Sequence, residues 1–549
     1  MTAHHHAKTR RQYLAAYNLR LLYLLAFLST ALLIQSSTAI PLHSGPAWMQ
    51  KVDSLVWQTA VSSTTEFLVY LTTQADLSAA AALPDKPARG QYVYQQLTAV
   101  AQQTQPAVIA QLDSLGVKYR RFWIANMIWV AGDESVVMAL AQRDDVAHLY
   151  ANPQVKLDLL EETPALSAVE VAVFPNSVTD MQSIEWNVTH IGADTVWEWG
   201  VTGEGVVIGG QDTGYDWTHP GLKNQYRGWD GATANHDYNW HDAIHENNPF
   251  TNDGNPCGFD VSAPCDDQYH GTHTMGTMVG NDLAQTDPTW PQGAANAVGI
   301  APGAKWIGCR NMEEGYGTPS TYAECYEWFI APYPYGGDPM SDGDPSKAPH
   351  VINNSWGCPP FEGCTDPDVL LSVVDAVRAA GIVTVHSAGN AGSATCSTIR
   401  DPAAIYDSSF TVGNTTSSDS ISSSSSIGPV TVDGSNRLKP DVVAPGTGIR
   451  STIPGNEYDF LSGTSMAGPH VAGLVALIIS ARPSLAGDVD GIEAIIRETA
   501  VPLTTTLTCG GDTPTSVPNH VYGNGRINAL AAVLSLFPER YYFPFVQTP

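Results

Sequence analysis

The chain has 549 residues, enough for a sizeable core and for two folded domains at roughly 150 residues each. Lys and Arg number 26 against 54 Asp and Glu, a formal charge of -28, which argues against a nucleic-acid groove or an anionic membrane surface as partner. A surface of that charge reads as soluble and self-repelling.

At the amino terminus Lys8, Arg10, Arg11 and Arg20 lead into the apolar run 21-LLYLLAFLSTALLI-34 and the small residues Ser37, Thr38 and Ala39. This order reads as a secretory signal over residues 1–39. The run is shorter than the roughly 20 residues of a bilayer span, and no later segment reads as apolar enough to cross a membrane. His4, His5 and His6 are assigned no function.

Residues 40–170 contain no cysteine. Strand-like 66-EFLVYL-71 is followed by one helical stretch from Tyr92 to Leu115, then 117-VKYRRFWIANMIWV-130, a helix in 133-DESVVMALAQR-143 with Asp133 as N-cap, and 146-VAHLYANPQVKL-157. The order β-α-β-β-α-β predicts a small separate α+β domain of ferredoxin-like type. The acidic stretch 158–171 has no regular period and reads as an exposed linker.

From about residue 183 apolar strands alternate with helices. The strands are 206-VVIGG-210, 304-AKWIGCR-310, 350-HVINNSW-356, 382-IVTVHSA-388 and 409-SFTVG-413; helices are expected over 367–381 and 466–480. Near-continuous apolar strands of this kind predict a buried parallel sheet of the α/β class. The serine-rich 417-SSDSISSSSS-426 reads as a solvated strand or loop of that domain. All eight cysteines follow residue 256, an even number that suggests disulfides in an exported chain. Sequence proximity favours Cys257 with Cys265, Cys309 with Cys325 and Cys358 with Cys364, leaving Cys396 for Cys509.

Three motifs fall at strand ends or helix starts, where α/β folds gather their functional residues. They are 211-QDTG-214, 269-YHGTHTMGTMVG-280 and 460-FLSGTSMAGPH-470. Each is weak alone. Aspartic-protease chemistry needs a second Asp-Thr/Ser-Gly, which the chain lacks. A zincin helix needs a Glu between His270 and His273. The nucleophile elbow of α/β-hydrolases runs Ser, Asp/Glu, His along the chain, the wrong order here.

The order Asp212, His270, Ser465 with these flanking sequences resembles the subtilisin-like serine proteases, the subtilase family, and most of all its bacillopeptidase F group. The likeness extends to 298-VGIAPGAKW-306, 351-VINNSWG-357, 386-HSAGN-390, 439-KPDVVAPG-446 and 523-GNGRINALAAV-533. It implies a subtilisin-like parallel sheet with helices on both faces over 183–535. Residues 40–170 become a propeptide, and 536–549 a tail without a clear role.

The implied activity is a secreted serine endopeptidase, made as a zymogen and working through an acyl-enzyme. A serine hydroxyl is a poor nucleophile at neutral pH and needs a base held by a carboxylate. Ser465 is then the nucleophile, His270 the base and Asp212 its orienter. Asn390 is implied as the oxyanion-hole donor, and Ser355, Trp356, Gly357, Ala388 and Gly389 as edges pairing with extended substrate. Trp356 either shapes a pocket wall or belongs to the core.

His470, five residues after Ser465, lies about 140° around a helix and about 7.5 Å along it, so it does not face the serine. His386 reads as an ordinary strand histidine. The chemistry needs no cofactor. Structural calcium is possible but has no matched site, because 219-HPG-221 has glycine where a ligand aspartate often stands.

Polypeptide substrates and the chain's own propeptide are the implied partners, with no nucleic acid, no membrane after signal removal and a monomeric state. The location is extracellular, with cell-surface association open. An esterase or peptide ligase on the same acyl-enzyme, or a catalytically silent binding protein, are the rival readings.

Overall fold

The computed structural model describes residues 46–158, 183–251, 254–282 and 296–537. The signal over 1–39, the linker from 159 and the tail beyond 537 lie outside the described residues. The chain divides into two compact units, Met1–Gln50 and Lys51–Pro549, and the second carries everything below.

Within that unit a first sheet is built from β1 (Thr65–Leu71), β2 (Lys118–Phe122), β3 (Met127–Gly132) and β4 (Val146–Ala151) in the order β2-β3-β1-β4. All its pairings are antiparallel. Three helices join these strands: α1 (Lys86–Thr104), α2 (Pro106–Leu115) and α3 (Glu134–Ala141). This is the β-α-β-β-α-β order expected, with one correction. The single helical stretch from Tyr92 to Leu115 is two helices, because Pro106 has no N–H to donate and fits best at a helix start. The break is fixed by buried Gln105, whose Nε2 donates to the Phe122 carbonyl at 2.8 Å. Asp133 caps α3 by accepting from the Ser135 and Val136 N–H groups.

The second sheet has seven parallel strands: β6 (Val207–Asp212), β7 (Trp240–Asp242), β8 (Lys305–Arg310), β11 (Val351–Asn354), β12 (Val383–Ser387), β13 (Phe410–Thr415) and β14 (Val442–Pro445), in the order β14-β13-β12-β11-β6-β8-β7. Helices α4 (His270–Val279) and α7 (Thr464–Ala481) pack together, α7 lying along the strands, while α5 (Pro319–Ile330) and α6 (Leu371–Ala379) form a second layer. Helix α7 is long and apolar enough to cross a membrane by composition, yet 89% of it is buried in the core. The expectation that no later segment is apolar enough is corrected by this helix, whose apolar length serves the core.

Helix α5 was not anticipated. All its residues except Thr321 are buried, so it shows no amphipathic period. It is also what the first sheet rests on. Leu68, Trp123 and Trp129 share one apolar cluster with Tyr326, Phe329 and Val373, so the amino-terminal domain is docked rather than separate. The Glu327 carboxylate on α5 accepts the N–H groups of Trp123 and Ile124 at 2.6 and 2.9 Å. All four expected disulfides are present, Cys257–Cys265, Cys309–Cys325, Cys358–Cys364 and Cys396–Cys509.

Candidate active site

Strand β6 has β8 on one side and β11 on the other, so the strand order reverses at its carboxyl end, and Asp212 is its last residue. Asp212 is 1% exposed. Its Oδ1 accepts from His270 Nδ1 at 2.8 Å and from the Thr213 N–H at 2.8 Å, and Thr274 Oγ1 donates to its Oδ2 at 3.3 Å. With a proton on Nδ1 facing the carboxylate, Nε2 is the ring nitrogen left outside that bond.

His270 opens α4, and the residue before it, Tyr269, has φ of 100°, a strained conformation for a residue with a side chain. Half-buried Asp266 holds it there. Its Oδ1 accepts from the Gln268 and Tyr269 N–H groups and from Thr213 Oγ1, and its Oδ2 from the Thr272 N–H and Oγ1. One carboxylate thus ties the end of β6 to the start of α4. Sequence reasoning missed Asp266, since its partners are spread over both segments.

Ser465 is the second residue of α7, where backbone N–H groups have no intrahelical acceptor. Its Oγ donates to the Ser355 carbonyl at 3.3 Å, and Ser355 Oγ donates back to the Ser465 carbonyl at 2.9 Å. Among the described residues no hydrogen bond joins Ser465 to His270. Gly463, with φ of 152°, makes the turn into the helix in a region that side-chain-bearing residues rarely adopt.

Asn390 follows β12. Its Oδ1 accepts from the Thr464 N–H and Oγ1 at 3.0 and 3.1 Å, which fixes the amide and leaves Nδ2 free to donate into the cleft. There it meets the Asp158 carbonyl at 3.1 Å.

Asp158 ends a segment of the amino-terminal domain laid along the cleft. Strand β5 (Val155–Lys156) pairs antiparallel with β10 (Tyr316–Gly317), which pairs in turn with β9 (Met312–Glu313). The Leu157 N–H then donates to the Gly315 carbonyl at 2.7 Å. The edge at 315–317 was not singled out from sequence, being too short to show a period. Ser355, Trp356 and Gly357 make no backbone hydrogen bond to this segment. Ala388 is buried, with its N–H on the Val412 carbonyl, and Gly389 adopts φ of 96°.

Trp356 is a core residue here, 4% exposed, stacked on Tyr322 at 3.9 Å and edge-on to Tyr326 and His386. His386 bonds Tyr326 Oη through Nε2, and His470 lies behind the serine between Asn187 Nδ2 and the Met466 carbonyl. Burial lowers the pKa of His386 to about 3 and that of His470 to about 4, so both are neutral. His273 faces the Ile449 and Asp459 carbonyls, away from His270.

At 219–221 a Cβ on Gly221 would come 2.9 Å from Tyr458 Oη and 3.1 Å from Thr452 Cγ2, so position 221 is crowded for a ligand side chain. Among the described residues no group of three or more His, Cys, Asp or Glu is arranged to hold a metal.

Residues 203–525 match the family model of the subtilases. Bacillopeptidase F of Bacillus subtilis (strain 168) is 35% identical over 419 residues, 75% of this chain but only 26% of that protein's length. Subtilisin NAT of Bacillus subtilis subsp. natto is 31% identical over 68% of this chain and 77% of its own. M-protease of Shouchella clausii (strain KSM-K16) is 28% identical over 72% of this chain and 87% of its own.

Proposed function

This chain belongs to the subtilase family, and from that premise we propose that it is a secreted serine endopeptidase made as a zymogen, with Asp212, His270 and Ser465 as the reacting triad. The observation that carries the reading is the buried 2.8 Å bond between Asp212 and His270 at the carboxyl edge of the sheet.

In turnover the Ser465 hydroxyl leaves the Ser355 carbonyl and gives its proton to His270 Nε2 as Oγ attacks the substrate carbonyl carbon. Asp212 stabilises the imidazolium that forms. Asn390 Nδ2 and the Ser465 N–H take the oxyanion. Collapse breaks the C–N bond, the amine leaves with the proton from His270, and water then repeats the sequence on the acyl-enzyme.

The segment 155–158 supports the zymogen reading, since it lies on β10 in the manner of an extended peptide and puts a carbonyl on Asn390. The apolar run 21–34 supports export, and the extracellular substrates would be polypeptides. No cofactor is required for these steps. Mature protein should cleave casein and be labelled by a serine-directed phosphonylating reagent, and Ser465→Ala should lose both. Rapid ester hydrolysis without casein cleavage would favour an esterase, and labelling of Ser465→Ala would mean a different nucleophile.

A further inference from the structure

Asp401 is a partly buried carboxylate that no protein group answers. Among the described residues its side chain accepts no hydrogen bond and makes no ion pair. The neighbouring Arg400 turns aside, with Nε donating to the Ser397 carbonyl at 2.9 Å. Three other carboxylates are engaged: Asp212 with His270, Asp266 with Thr213 and Thr272, and Glu327 with Trp123 and Ile124. An unpaired carboxylate withdrawn from water is costly unless a cation or donors reach it.

Its place gives it meaning. A Cβ added to Gly357 would come 2.6 Å from Asp401 Oδ2, and one added to Gly389 would come 3.1 Å from the same oxygen. The carboxylate therefore lies against both edges that flank the cleft, at the two points where neither carries a side chain. The docked segment identifies which substrate position this is. Asp158, whose carbonyl sits on Asn390, takes the place of a substrate's acyl-side residue, and its charge helps raise the Asp401 pKa.

We infer that Asp401 is the specificity-determining residue of the pocket that takes this acyl-side residue, and that it selects lysine or arginine. The inference rests on the protease reading above. Glu362, on the turn Pro360–Glu362, adds a second carboxylate, with Oε2 buried and without a hydrogen-bond partner. An ammonium has three donors and a guanidinium five, enough to serve both acids.

Burial, with the charges of Asp158 and Glu362, pushes the Asp401 pKa up to about 7, and a cation in the pocket reverses that push. A neutral apolar side chain would leave the carboxylate desolvated, and an acidic one needs a shared proton. Asp158 is such a mismatch. Its segment is held through the backbone, by β10, Gly315 and Asn390, so the cleaved end competes poorly with basic substrates. From Leu159 to Leu222 the chain contains no Lys or Arg, so a basic-specific enzyme would not degrade its own linker.

The test uses mature enzyme from the full chain, with active sites counted by phosphonylation of Ser465. Hydrolysis of Ala-Ala-Pro-X p-nitroanilides is then compared for X as Lys, Arg, Leu, Phe and Glu. The expected result is a kcat/KM for Lys or Arg about 100-fold above the rest. In Asp401→Asn the Lys-to-Leu ratio should fall at least about 30-fold, and Asp401→Glu should retain a basic preference.

Benzamidine should inhibit the unmodified enzyme competitively, which tests the pocket even where a variant fails to fold. A preference for Leu, Phe or Glu, no competition by benzamidine, or an unchanged ratio in a fully titrated Asp401→Asn overturns the inference. Failure of the protease reading is distinct: no phosphonylation and no cleavage of any substrate.

Discussion

Asn390 Nδ2 donates to the carbonyl oxygen of Asp158 at 3.1 Å, across 232 residues of sequence. The amide is aimed by Thr464, the residue before Ser465, so one short chain of bonds links the start of α7 to a carbonyl supplied by the amino-terminal domain. Replacing Asn390 with Ala should remove a donor that matters most as charge develops on that oxygen. The expected loss is about 100- to 1,000-fold in kcat, with a much smaller change in KM, measured on a peptide p-nitroanilide.

The same bond marks where the chain should cut itself, within one molecule, because backbone pairing with β10 holds Asp158 in place despite its poor fit to a basic-selective pocket. Processing after Asp158 should leave a mature enzyme starting at Leu159, read from amino-terminal sequencing and intact mass. The Ser465→Ala chain should accumulate with residues 40–158 still attached. An active enzyme starting at Ile40 would remove the propeptide reading.

Glu327 accepts two backbone N–H groups, from Trp123 and Ile124, across the junction between the two sheets. Glu327→Ala leaves both donors without an acceptor, at about 1–3 kcal/mol. The cleaved amino-terminal domain should then dissociate about tenfold or more faster, followed by size-exclusion chromatography during activation.

His245 sits at the same junction, beside a cavity of about 420 Å³ also lined by Arg120, His241, Asp260, Glu324 and Tyr333. Burial would lower its pKa, but the Glu324 charge and hydrogen bonds to Asp260 and Glu324 outweigh this, and Arg120 opposes them weakly; the result is about 9. A pKa raised above the unfolded 6.5 means that the contribution to stability is complete below pH 6.5. It is lost as pH rises through about 9. The inactivation temperature of the full chain should fall between pH 7 and 10, and His245→Gln should flatten that fall, a difference on the order of 2 kcal/mol.

Much of the architecture was legible from local pattern. The buried parallel strands announced themselves as apolar runs, and the Asp133 cap was readable because helix starts have a local chemistry. Gln105–Pro106 carries the same kind of local signature, a proline at a helix start. Helix α5 was hidden because burial on every side erases the period, and the edge at 315–317 because two residues carry none.

The sequence by itself determined the family, the even set of cysteines, and the order of Asp212, His270, Asn390 and Ser465 along the chain. Their order along the chain says nothing of distance. Only the tertiary structure decided that Asp212 and His270 meet where the strand order reverses, that Trp356 belongs to the core, and that Asp158 lies on Asn390. It also decided that Asp401 Oδ2 lies against Gly357 and Gly389. The reason is physical: helix and strand periods are set by neighbours a few residues apart, whereas a cleft is set by which distant segments exclude water from one another.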